Sequence, residues 1–192
     1  MNNDPEIWQQ IRGRLNAAAG FLHLAAPEAY AKLESAFRNR TDQDEYEPAL
    51  DALISGAEEA GLPLRRRFWE ELLVAAMLMR LEKQFSHITS RIVNLEPHIF
   101  GPSASPPHLY CDFNGYIESD VYCLDGVGTA LDAARLCLML KEGLRLILYD
   151  ADLGDNREPE WLLADAELVE YPGYGLVAKA EPGSYRWIKR DE

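Results

Sequence analysis

The chain has 192 residues, with 19 Lys and Arg against 32 Asp and Glu for a formal charge of −13, a field that repels phosphate backbones and argues against nucleic acid as a partner. At 47% hydrophobic and 27% charged it has the composition of a folding chain, not of a disordered one. Its longest apolar run, Leu72 to Met79, is eight residues, against the roughly 20 that a membrane-spanning helix needs.

The opening MNNDPE lacks the basic n-region and apolar core of a signal peptide, so a cytoplasmic location and no membrane association are expected. Asp4 and Pro5 form an N-cap and first-turn pair, after which Ile7, Trp8, Ile11, Leu15, Ala18, Ala19 and Leu22 share one helical face. Pro27 opens a second, short helix with Tyr30, Leu33 and Phe37 inward, ending in a polar turn over 38–42. A third helix carries Tyr46, Ala49, Leu50, Leu53, Ile54 and Ala57. Pro48 restricts its start to near Glu45, and Gly61 stops it. Pro63 then begins a fourth helix with Trp69, Leu72, Leu73, Ala76, Met77 and Leu81 inward, continued by Phe85 and Ile88. Being apolar nearly all round at its centre, this helix is expected in the middle of the bundle.

Pro97, Gly101, Pro102, Pro106 and Pro107 cannot continue a helix, and they set a Pro-rich linker over 97–107 between a helical domain, 1–96, and a mostly-β domain, 108–192. Beyond the linker, HLYCDF and YIESDVYCL flank Asn114-Gly115, the signal for a hairpin turn between them. Thr129 is placed to cap a short helix from Ala130 to about Leu136, with Asp132 near its positive end. LRLILYDA, EWLLADAELVEYP, GLVAKAEP and YRWIKR follow as strand-like segments. The expected fold class is α+β: about four helices, then a mostly antiparallel small barrel or strongly bent sheet with one short helix.

Chemical motifs are few. Asp150, Asp152, Asp155, Glu158 and Glu160 crowd one acidic stretch, but an EF-hand begun at Asp150 puts Gly154 at a ligand position, Asp155 at the turn glycine and Trp161 at the bidentate glutamate. His98, His108, Cys111 and Asp112 match no zinc spacing, and Cys111 and Asp112 would face opposite ways on a strand. Cys111, Cys123 and Cys137 stand 12 and 14 residues apart with no C-x-x-C, which reads as reduced thiols. No local signature couples them to His23, His87 or another histidine as a nucleophile pair. No catalytic residue, metal site or cofactor is therefore expected. Arg65, Arg66 and Arg67 oppose the dipole at the start of the fourth helix, and Glu58, Glu59, Glu70 and Glu71 are placed to offset them. Tyr171 and Tyr174 flank a Pro-Gly turn where aromatic burial is hard to arrange.

Glu45, Ala49, Leu50, Asp51 and Leu53, then Gly61 and Pro63, then Phe68, Trp69, Leu72, Ala76 and Met79 form a hinge-and-helix pattern over 45–81. This pattern resembles the helical modules of bacterial toxin-immunity proteins of the MafI-like kind, from which Pro48 departs. The resemblance implies a protein that binds and neutralises a cognate toxin. Residues 97–192 hold 8 basic against 17 acidic residues, a balance suited to a basic protein partner. The expected function is a non-enzymatic protein-binding module whose partner surface is Asp150, Asp152, Asp155, Glu158, Tyr171 and Tyr174. A homo-oligomer built through the helical half is the alternative, and a small ligand-binding domain or enzyme the third reading.

Overall fold

The structure is a computed structural model that describes residues 5–61, 64, 66–92, 98–101, 104–153 and 159–189. The chain is α+β and divides into two compact units, Met1–Leu95 and Glu96–Glu192. Among the described residues no helix is long and apolar enough to cross a membrane.

The first unit is helical: α1 (Pro5–Ala25), α2 (Pro27–Asp42), α3 (Tyr46–Ala60), α4 (Arg66–Leu78) and α5 (Glu82–Arg91). α1 packs on α2, α3 and α4 through buried Ile7, Ile11, Leu15, Ala18, Ala19 and Leu22. Trp8 is only half-buried and stacks on Tyr46 at 5.3 Å. α2 and α3 approach closely at Gly56, where a Cβ would stand 2.1 Å from Leu33 Cδ2. α4 is buried around its circumference from Leu72 to Ala76, the pattern its all-round apolarity implies.

Three expectations about helix ends are corrected. The fourth helix does not run on to Ile88: it stops at Leu78, and Phe85 and Ile88 are buried on a separate fifth helix. Arg80 takes a left-handed φ of 57°, the Leu81 N–H bonds the Ala76 carbonyl at 2.9 Å, and the Arg80 N–H bonds that of Met77 at 3.0 Å. Those two bonds are a Schellman stop. The second helix, expected to end in a turn over 38–42, continues to Asp42 and closes with the same motif one step later. Asp44 has φ 58°, and Glu45 and Asp44 donate to Arg40 and Thr41. The arginine cluster is offset only in part as expected. Arg66 pairs with Glu70 at 2.7 Å, but Glu71 reaches Arg14 of α1 at 3.0 Å, and Glu58 holds His87 and Arg91 of α5. Arg65, Pro63 and the Asp4 cap lie outside the described residues.

The second unit contains β1 (His108–Tyr110), β2 (Tyr116–Glu118), β3 (Val121–Cys123), α6 (Val127–Arg135), β4 (Arg145–Leu153), β5 (Pro159–Tyr171), β6 (Gly175–Ala180) and β7 (Arg186–Lys189). They form one open, mixed sheet in the order β1-β4-β5-β6-β3-β2, with β7 also on β5 and only β1–β4 parallel. β5 pairs with β4 along one edge, while its other edge is shared by β7 at 160–163 and β6 at 166–171. One face buries Leu109, Leu146, Leu148, Ala164, Leu168 and Ala178.

β1 and β2 stand at opposite ends of this sheet although only residues 111–115 separate them. Laid flat, the end strands would be about 24 Å apart, at about 4.8 Å per spacing. A link of that length fully stretched covers only ~21 Å, and here it is folded into a turn, with the Gly115 N–H on the Asp112 carbonyl at 2.9 Å. The sheet must therefore curl strongly without closing. The Asn114-Gly115 hairpin is thereby corrected, since that pair carries the chain from one end strand to the other. The hairpin here is β2–β3, turning at Ser119 and Asp120, whose φ is 63°. The expected linker over 97–107 also carries packed side chains, because His98 is buried and Phe100 stacks on His108 at 4.3 Å.

Candidate functional site

The two end strands of the sheet are treated in opposite ways. On β1, Cys111 and Pro107 bond to β4, so the N–H and C=O of intervening Tyr110 point outward. Both are satisfied by α6: the Tyr110 N–H donates to Asp132 Oδ2 at 2.8 Å, and the Thr129 hydroxyl donates to the Tyr110 carbonyl at 2.9 Å. Thr129 is thus not the cap of its helix, as the sequence led us to expect; α6 starts at Val127 with Gly126 at the N-cap. Close approach is possible because the helix presents Gly128 to the Tyr110 ring, where a Cβ would lie 2.4 Å from Cδ1.

Asp132 is fully buried. Its carboxylate also accepts from the Tyr149 hydroxyl at 2.5 Å and from Arg135 Nη1 at 2.6 Å, and it faces His98 Nε2 at 3.5 Å. His98 Nδ1 accepts the Phe100 N–H at 3.2 Å, while its buried Nε2 has no hydrogen-bond partner among the described residues. Phe100, Tyr110 and Trp161 pack against Ile147, Tyr149 and Leu163 to close the surrounding cluster. Burial and the bond to Asp132 push the Tyr149 hydroxyl far up, burial pushes the Cys111 thiol up, and burial with the neighbouring His98 pushes His108 down. These groups are held in their neutral forms, and the carboxylate is occupied by its donors. The arrangement seals an edge. Among the described residues no group of three His, Cys, Asp or Glu is placed to hold a metal ion.

At the other end, β2 pairs with β3 alone among the described residues. The Cys123 N–H bonds the Gly115 carbonyl at 3.0 Å and Tyr116 stands opposite Tyr122, a register in which the N–H and C=O of Tyr116 face away from β3. The Tyr116 side chain is 68% exposed. Beyond a register shift lies exposed Glu118, whose carboxylate near the Tyr171 hydroxyl holds that tyrosine above its usual range. The Tyr171 ring meets Tyr174 at 6.1 Å. The β2–β3 turn is pinned from behind, since Tyr122 bonds Tyr185 at 2.8 Å and the Tyr185 hydroxyl donates to Asp120 at 2.6 Å.

Of the expected partner surface, Tyr171 and Tyr174 come together in the β5–β6 turn. Asp150 does not join them as a loop carboxylate. It is a half-buried β4 residue, accepting the Ala151 N–H at 2.8 Å and the Phe113 N–H at 3.4 Å, with its acidity weakened by burial. Asp152 is also on β4, opposite Glu160, while its side chain, Asp155 and Glu158 lie outside the described residues. Sequence reasoning missed Tyr116 and Glu118, which it had assigned to the far side of a different hairpin, and the polar stripe Thr129, Asp132 and Arg135 at i, i+3, i+6 on an alanine-rich helix. That stripe was the available signal. No protein-family model, curated protein or solved structure matches this chain.

Proposed function

We propose that this chain is a protein-binding module that neutralises a basic protein partner by covering it, and that the partner is a bacterial toxin. The observation that carries the reading is the open edge of β2, with exposed Tyr116 on it and Glu118 beside the Tyr171–Tyr174 pair, in a half of the chain with 8 basic and 17 acidic residues. Tyrosine supplies large, rigid contact area at small entropic cost, and the negative field speeds encounter with a positive partner and selects against a negative one. The toxin assignment is supported by the resemblance of residues 45–81 to immunity modules. In the buried histidine, aspartate and tyrosine cluster, Asp132 serves the β1 edge, accepting from the Tyr110 N–H and the Tyr149 hydroxyl.

Co-expression with the protein encoded by the adjacent reading frame tests this. The expected result is a complex that co-elutes on size exclusion and relief of any growth inhibition that the neighbour causes alone. A toxic neighbour that neither binds nor is relieved would contradict the reading.

A further inference from the structure

We infer that the edge of β2 receives an extended, lysine- or arginine-bearing segment of the partner protein as an added strand. This rests on the protein-binding reading above and gives it a geometry. The outward N–H and C=O of Tyr116 are the pair that an incoming strand would engage. The same sheet closes its β1 edge with Thr129 and Asp132, whereas nothing among the described residues covers β2.

Charge decides the occupant. From Arg91 to Arg135 the sequence has no Lys or Arg between, yet it contains Asp112, Glu118, Asp120 and Asp125. A second copy of this chain would bring the same acidic segment against itself, and like charges brought together across a strand pairing are destabilising. A basic segment instead places its cations beside Glu118, and its backbone and side chains beside Tyr116 and the Tyr171–Tyr174 pair. With β2 only three residues long and its register shifted before Glu118, the added strand is short, and the tyrosines supply the remaining contact.

The test uses the full chain and a fluorescein-labelled hexapeptide of alternating lysine and valine, read by fluorescence anisotropy. Tyr116→Pro removes the outward donor without touching a ladder bond, which edge positions tolerate; Tyr116→Ala keeps that donor and controls for loss of the ring. The expected result is salt-sensitive binding that weakens about tenfold or more when the peptide's valine amides are N-methylated, and again in Tyr116→Pro relative to Tyr116→Ala. Glu118→Lys weakens it as well. Failure of the lysine peptide to bind, or equal binding of the N-methylated one, would overturn strand addition. A complex with the neighbour-encoded protein that is indifferent to Tyr116→Pro would also overturn it, while leaving the protein-binding reading intact. Peptide binding at the edge without a complex would leave the edge and remove the toxin assignment.

Discussion

One sheet, two ends: β1 is sealed by a buried carboxylate and a hydroxyl from a short helix, whereas β2 keeps an exposed tyrosine and an outward-facing amide and carbonyl. An unpaired edge is a hazard that folded proteins blunt by covering, charging, shortening or bulging it. Here the remedies are divided between the two ends. β1 is covered, and β2 is short, shifted in register and acidic at Glu118.

The largest effect should come from breaking the seal. Asp132→Ala removes the buried acceptor of the Tyr149 hydroxyl and the Tyr110 N–H and one ion-pair partner of Arg135, and should destabilise the second unit by ~3–5 kcal/mol, read from urea denaturation followed by tryptophan fluorescence. Gly128→Ala drives a methyl into the Tyr110 ring and should cost about 1–3 kcal/mol in the same assay. Thr129→Val removes the donor to the Tyr110 carbonyl and should cost about 1 kcal/mol.

Acidification probes the seal without mutation. His108 is held below its ordinary value, chiefly by burial and then by His98 and Arg186, so its neutral form is favoured in the folded chain. Its contribution is therefore complete above the unfolded value of about 6.5 and is lost as pH falls through the lower folded value. Melting temperatures should drop across that window in wild type, and less in His108→Phe. The smallest effect on stability is expected at the open end. Tyr116→Ala should change it by less than about 0.5 kcal/mol while weakening partner binding. A large loss of stability there would show that β2 is not the exposed edge described.

How far the sequence revealed this structure depends on which residues do the work. Gly61, with φ 61°, ends α3 as its residue type implies, and the apolar stripes place the cores of α1 and α3. The end of α4 was illegible because Arg80, not glycine, takes the left-handed position, so no residue type marks the stop. Asn114-Gly115 misled because a turn signal specifies a local reversal, not which strands then pair; long-range pairing of β1 with β4 decided that. Tyr171 and Tyr174 were readable from a turn that cannot bury them. Asp132 was not, since a single aspartate near a helix start has an ordinary local explanation, and only the edge of β1 gives it a different one.

The contrast between the two ends is tested most directly by amide hydrogen exchange of the full chain, resolved at Tyr110 and Tyr116 by NMR. The account predicts that the Tyr110 amide, bonded to Asp132, exchanges with the slow core of the sheet, while the Tyr116 amide is among the fastest of the strand residues. Equal protection at the two positions in the isolated chain would contradict it.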